Sequence, residues 1–533
     1  MSRYQPEGVH GPSAVVSSDF AWLDTGWHGL DLADYIIYEV HTGLLTEAGT
    51  FEGIIGRLDD LKRLGITAIE LMPIAQFPGR RNWGYDGVFP YAPQKTYGGP
   101  AGLRTLVNAC HTLGLAVVLD VVYNHLGPEG NYLEDFGPYF TGRYRTPWGR
   151  AVNFDGLESG PVRQFFRENA RYWISEFHID ALRFDAIHAI TDKSSNPALA
   201  EITEAVRLAG RERGRKTYAI AESALNDSCV LKSAGQGGLG FDAQWNDDFH
   251  HSLHSLLTGE RHAYYQDYGE ITHLAKALSE GFVYTGQYSA FRQRNFGKPL
   301  SLSSGEQLVV FSQNHDQVGN RLRGERLSAI MSLEDQKLAA GVVLLSPYVP
   351  LLFMGEEYGE TAPFLYFTDH QDPVVAEAVR AGRREEFAAF SGAGDYPDPQ
   401  EEATFLRSRL SWHAGASVLP EFYAILIKLR KSCTALASLA MSAFAVTVNG
   451  NSLVMHRTAN GKEAAIIFCF SASSSRLTLP LKRGQWRKQL DSSDTRWQGP
   501  GSHSPMDLTS DGTVSIELAP RSVVVLTDRD IAC

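Results

Sequence analysis

Cysteine is scarce. Cys110, Cys229, Cys433, Cys469 and Cys533 are the only five in 533 residues, odd in number and without a C-x-x-C pair. A disulfide framework and a cysteine-built zinc site are therefore excluded, and a reducing, cytoplasmic compartment is favoured. The opening stretch MSRYQPEGVHGPSAVV lacks a charged start followed by a long apolar core, so it does not read as a signal peptide. Apolar runs long enough to span a bilayer are also missing. The longest, residues 341–354, is broken by Pro347 and Pro350 and reads as a helix end leading into a buried strand. Basic tracts are absent as well: 49 Lys and Arg stand against 61 Asp and Glu, a net charge of −12. That balance argues against a nucleic-acid partner. The glycine clusters at 98–99 and 235–240 lack a following Lys-Ser/Thr or dinucleotide spacing, so they are turns and not phosphate cradles.

What is present is an ordinary globular composition, 43% hydrophobic and 21% charged, in a chain long enough for two or three domains. Short β-branched runs alternate with amphipathic stretches. Strands are predicted at 35–41, 66–73, 115–123, 179–185, 218–222, 241–245, 308–312 and 349–354. Helices are predicted at 51–64, 102–113, 161–177, 196–210 and 333–345. Eight parallel βα units make an α/β chain with a (β/α)8 TIM barrel. The long connections 127–154, 246–300 and 358–409 are expected to be loop insertions over the catalytic rim. After about residue 438, alternating runs at 444–458, 463–471, 475–481 and 513–527 predict a C-terminal antiparallel β-sandwich. The expected division is 1–34 as a linker remnant, 35–437 as the barrel and 438–533 as the β domain.

Three carboxylates each stand where a strand gives out: Asp185, Glu222 and Asp316. In a β/α barrel all strand C-termini open on one rim, so these acids are expected to meet there. Retaining glycoside cleavage needs such a set: one carboxylate attacks the anomeric carbon and a second, protonated one attends the leaving oxygen. Asp185 suits the nucleophile, with Arg183 two residues back on the same strand face. The plainer reading of that pair is a structural ion bridge. Glu222 follows the apolar run Tyr218-Ala-Ile-Ala, which should desolvate it and raise its pKa, as the acid requires. Asp316 suits stabilisation of a distorted, oxocarbenium-like sugar. His125 offers an imidazole donor for hydroxyls. Trp83, Tyr85 and Asp86 offer aromatic faces beside a carboxylate. His125, His188 and His315 lie on separate strands without ligand spacing, so no metal and no cofactor is predicted.

The motifs Asp120-Val-Val-Tyr-Asn-His125, Ala181-Leu-Arg-Phe-Asp-Ala-Ile-His188, Ala221-Glu222 and Phe311-Ser-Gln-Asn-His-Asp316 resemble, in order, the four segments of glycoside hydrolase family 13, the α-amylase family. The resemblance implies Asp185 as nucleophile, Glu222 as acid/base and Asp316 as transition-state stabiliser. It implies that His125, Arg183, His188, His315, Tyr85 and Asp86 line the subsite for the non-reducing-side glucose. Tyr38-Glu-Val-His-Thr-Gly43 and Phe241-Asp-Ala-Gln-Trp-Asn-Asp-Asp-Phe-His-His251 point to the members that cut trehalose from trehalose-capped maltooligosaccharides, leaving isoamylase-type debranching, branching and α-amylase activity as alternatives. On that reading Trp245, Asp247, Asp248 and His251 shape the trehalose end. The substrate is maltooligosyltrehalose or a related α-glucan, and metabolic coupling to maltooligosyltrehalose synthase is expected. Such enzymes carry an N-terminal β-sandwich before the barrel. Only about 34 residues precede the first strand here, so that domain is expected to be missing.

Overall fold

The computed structural model describes residues 2–391, 396–412 and 417–528; Cys533 lies outside them. Eight parallel strands close into a barrel in sequence order. They are β1 (Ile37–Val40), β2 (Ala68–Leu71), β3 (Ala116–Val121), β4 (Ala181–Phe184), β5 (Tyr218–Ala221), β6 (Ala243–Trp245), β7 (Leu308–Val310) and β8 (Val349–Phe353). Each falls inside its predicted run. The ring is sealed where Ile37 of β1 pairs with both Ala68 of β2 and Leu351 of β8.

Side chains alternate across a strand, and this sets the character of the inner wall. Ile37, Ala68, Val118, Ala181, Ile220, Ala243 and Val309 belong to one buried apolar layer. Two residues further along each strand the same wall carries Glu39, Glu70, Asp120, Arg183, Glu222, Trp245 and Phe311. One step toward the C-terminal mouth thus converts hydrocarbon into charge. The Trp245 and Phe311 rings pack edge to face, centroids 5.3 Å apart, and belong to the same apolar cluster.

The predicted 51–64 helix is two helices, Phe51–Ile55 and Leu58–Leu64, interrupted after Gly53 and Gly56, which favour helix least after proline. The apolar stripe survives the break: Phe51, Ile54, Leu58 and Leu61 are buried. The three long connections are more regular than expected. Residues 127–154 hold a hairpin, Phe140–Thr146 with Gly149–Val152. Residues 246–300 hold the helices Asp247–Thr258 and Ile271–Glu280, and 358–409 hold Pro373–Ser391 and Glu402–Arg407. The first of these helices follows from its cap. The Asn246 side chain accepts from the Phe249 N–H at 3.2 Å, and Asp247 and Asp248 sit in the positively polarised first turn.

The C-terminal part is antiparallel. Six strands from Phe444 to Asp528 form one sheet, and Ser475–Pro480 pairs with Thr513–Leu518 in a second. Apolar residues such as Ile467, Leu477, Trp486 and Ile516 pack between them. The single strand predicted over 513–527 is two strands, because Pro520 cannot donate and Arg521 turns with φ 48°. The strand Gly484–Asp491 was not foreseen. Among the described residues no helix is long and apolar enough to cross a membrane.

Residues ahead of the barrel are stapled to it. The Trp22 ring stacks on His178, and Trp27 stacks on His111. Asp24 bonds to both imidazoles, at 2.7 and 2.8 Å, and to Arg215 at 3.1 Å. Burial works against the Asp24 charge, but these donors prevail and hold its carboxyl well below the usual range. Asp24→Asn leaves buried donors facing an amide and is expected to cost about 3–5 kcal/mol. The folded-state pKa is depressed, so this stabilisation is present above the ordinary value of 3.8 and is lost as pH falls below it. Thermal melts of both proteins between pH 3 and pH 7 check it: a constant gap in Tm across that range would refute the assignment.

Candidate active site

The charged layer is organised by one guanidinium. Arg183 is fully buried on β4, its Nη1 donating to Asp120 and to Asp185 at 2.8 Å each. Its Nη2 lies 3.8 Å from Glu222, and the Trp245 ring lies against its other side, 4.3 Å away. Such a group cannot lose its proton. Asp185 ends β4, its backbone N–H still bonded to Val121 O at 3.1 Å. Its second carboxyl oxygen accepts from Asn124 Nδ2 at 3.0 Å. The strand then breaks: Ala186 adopts φ 40°, a conformation that costs a residue bearing a Cβ and that concentrates at functional sites. The break points the Ala186 N–H at Glu222, 2.5 Å from Oε2.

Glu222 is bound on both sides to the end of β4, donating its N–H to Phe184 O and accepting from the Ile187 N–H, each at 3.0 Å. Burial pushes its carboxyl up to about 8. Arg183 pulls the other way, and the negative charges of Asp185, Asp247 and Asp316 add to the rise. Glu222 is therefore a carboxylic acid at neutral pH, as its apolar strand led us to expect.

Asp316 is the most open of the three, its side chain 41% exposed. It sits in the first turn of the short helix His315–Gly319, capped by Asn314, whose side chain accepts from the Asp316 N–H at 2.9 Å. Next to it His315 is wired across the barrel. Nδ1 donates to Glu39 at 2.5 Å, and Nε2 lies 2.7 Å from Tyr85 Oη and 3.5 Å from Asp316. Tyr85 Oη in turn donates to Asp120 at 2.7 Å. Burial disfavours a charged imidazole, but Asp316 and Glu39 outweigh it and raise His315 to about 9. The Tyr85 ring stacks on His315 and stays partly open.

His125 donates through Nε2 to Tyr85 O at 2.9 Å, and its face is covered by Trp148 of the rim hairpin, ring centroids 4.4 Å apart. Sequence reasoning missed Trp148, which lies half exposed on an insertion read as loop. Asp86 accepts from Asn82 Nδ2 at 2.6 Å. His188 stands on the rim with part of its surface open; desolvation of the imidazole by the surrounding protein lowers its pKa, aided by Arg183 and opposed by Asp185. Asp247 borders the acids; burial and the Asp316 charge lift it to about 7.

Four expected sugar contacts stand behind the site. Trp83 is 4% exposed, stacked on Phe364 with its N–H bonded to Leu365 O; it wedges His315 in place. Trp245 lies beneath Arg183 inside the wall. Asp248 is saturated by Tyr268, Asn226 and the Val283 and Tyr284 N–H groups. His251 is packed among Tyr264, Tyr265 and Tyr268, and burial drives it down to about 3, so it is neutral. Short polar residues after a strand look alike in sequence whether they face substrate or packing. Among the described residues no group of three or more His, Cys, Asp or Glu side chains is placed to hold a metal ion.

Residues 28–145 match the model of the α-amylase catalytic domain. The chain is 50% identical over 454 residues to a malto-oligosyltrehalose trehalohydrolase of Saccharolobus solfataricus, covering 84% of this chain and 79% of the relative. The chain belongs to the malto-oligosyltrehalose trehalohydrolase family. A second family member, from Arthrobacter ramosus, is 44% identical over 493 residues, 91% of this chain and 82% of its own length. The fold superposes with a TM-score of 0.86 on a candidate α-amylase of Salmonella typhimurium, 38% identical, covering 99% of this chain and 88% of that one.

Proposed function

We propose that this family member hydrolyses the α-1,4 bond joining a maltooligosaccharide to a terminal trehalose, with Asp185, Glu222 and Asp316 as its catalytic carboxylates. The observation that carries the assignment is Arg183: one buried guanidinium lies 2.8 Å from Asp185 and 3.8 Å from Glu222, whose carboxyl burial pushes up to about 8. Glu222 gives that proton to the leaving oxygen of trehalose while Asp185, held by Arg183 and Asn124, attacks the anomeric carbon. The result is a β-glucosyl ester on Asp185 and free trehalose. Glu222, now ionised, takes a proton from water as the water attacks the ester. The maltooligosaccharide leaves with its α configuration restored, and Glu222 is a carboxylic acid again. Asp316 faces the positive charge that develops on the sugar, His315 beside it is a donor for a sugar hydroxyl, and Tyr85, Asp86, His125 and His188 stand around them. Asp247 stands toward the trehalose side, backed by Trp245, Asp248 and His251. The activity named for the relatives supports this reading. The few, scattered cysteines of the sequence support work in the cytoplasm, supplied by maltooligosyltrehalose synthase.

Trehalose-capped maltopentaose is expected to release trehalose at least about tenfold faster than plain maltopentaose is cut, a discrimination of one or two well-placed contacts. Chromatography of the products from both substrates checks it. Equal rates would assign the protein an α-amylase or debranching activity instead.

A further inference from the structure

The inner wall carries one carboxyl that this chemistry does not use. Glu70 stands directly across from Glu39 in the β1–β2 ladder. Both lie two residues beyond members of the apolar inner layer, Ile37 and Ala68, and so face the interior. Each is 1% exposed. Their surroundings differ. Glu39 commits both oxygens to His315: one accepts from Nδ1 at 2.5 Å, the other from the backbone N–H at 3.0 Å. Among the described residues neither oxygen of Glu70 has a hydrogen-bond partner. A carboxylate buried without a donor, opposite a second carboxylate, is strongly disfavoured.

We propose that Glu70 is a positioning residue of this site: a carboxylic acid behind Glu39 that takes no share of His315, so that Glu39 alone holds the Nδ1 and backbone N–H of that residue. The idea rests on the reading of His315 as a sugar-facing donor beside Asp316. The groups that face Glu70 are Glu39 on β1, Asp120 on β3, Arg183 on β4 and His315 beyond β7. Burial and then Glu39 push its carboxyl far above the usual range, with Arg183 and His315 opposing. The charges of the layer give the reason for neutrality. With Glu70 neutral, the inner-wall carboxyls Glu39 and Asp120 stand beside Arg183 and His315, while Asp185 and Asp316 lie nearer the mouth. An ionised Glu70 would add a rival anion for both cations, loosening the hold on Asp185 and on His315.

The test needs no substrate in its first arm. With carbon-13 in the glutamate carboxyls of the wild-type protein, one acid-form resonance should persist at about pH 9, above the value of about 8 held by Glu222. It should vanish in Glu70→Gln. In the second arm, Glu70→Ala should lower kcat by about tenfold with KM within about threefold, Glu70→Gln should recover most of that loss and leave both limbs of the pH profile in place, and Glu39→Gln should lower kcat by about tenfold or more; full activity in Glu70→Ala overturns the proposal. Absence of the persistent resonance overturns the proposal whether or not Glu70→Gln folds. So does a basic limb displaced in Glu70→Gln. A wild-type protein inactive on the trehalose-capped substrate would instead strike at the catalytic reading, leaving the resonance to be judged alone.

Discussion

Asp185→Asn is expected to lower kcat on trehalose-capped maltopentaose by about 10⁴-fold or more, the scale on which loss of a covalent nucleophile registers. The amide keeps the shape of the side chain and its Arg183 and Asn124 neighbours, so the fold should hold and KM should change little. What disappears is the oxygen that forms the ester. The loss also removes a negative charge that helps keep the Glu222 proton in place, so the residual activity should fall off at lower pH than in the wild type. Trehalose release measured across pH reads both effects. Turnover within tenfold of wild type would move the nucleophile to another residue.

Glu222→Gln should cost about 10³-fold in kcat, within the usual range for a general acid. Its signature is the pH profile. The active form is the protonated one, so wild-type turnover should decline as pH rises through about 8, where burial has placed this carboxyl. In Glu222→Gln that basic limb should be gone. An aryl glycoside whose leaving group needs no proton should recover much of the first step, since the glutamine impairs donation and leaves Asp185 intact. A basic limb that survives in the glutamine protein would sink the assignment.

The barrel was legible because each strand is a compact β-branched run; Asp185 and Glu222 directly follow theirs, whereas Asp316 lies beyond the end of β7 in a helical turn that the run did not foretell. The helix Asp247–Thr258 was hidden by its polar opening, Asn-Asp-Asp, which looks like a loop until Asn246 is seen as a cap. Glu39 follows from Ile37 by strand period, yet its partner His315 lies 276 residues away, a separation no local pattern reports. Trp83 and Trp148 show the same limit. Both are tryptophans near the rim, and only the packing around them decides that Trp148 covers His125 while Trp83 is buried against Phe364.

The apolar layer of Ile37, Ala68, Val118, Ala181, Ile220, Ala243 and Val309 acts as a floor. Nothing hydrophilic can reach the acids from below it, so sugar, departing alcohol and incoming water all share one doorway. Trehalose must clear that doorway before hydrolysis can finish. Water then enters along the path the alcohol has vacated, on the same side of the ring, and retention of configuration is in this sense a property of the architecture as much as of the carboxylates.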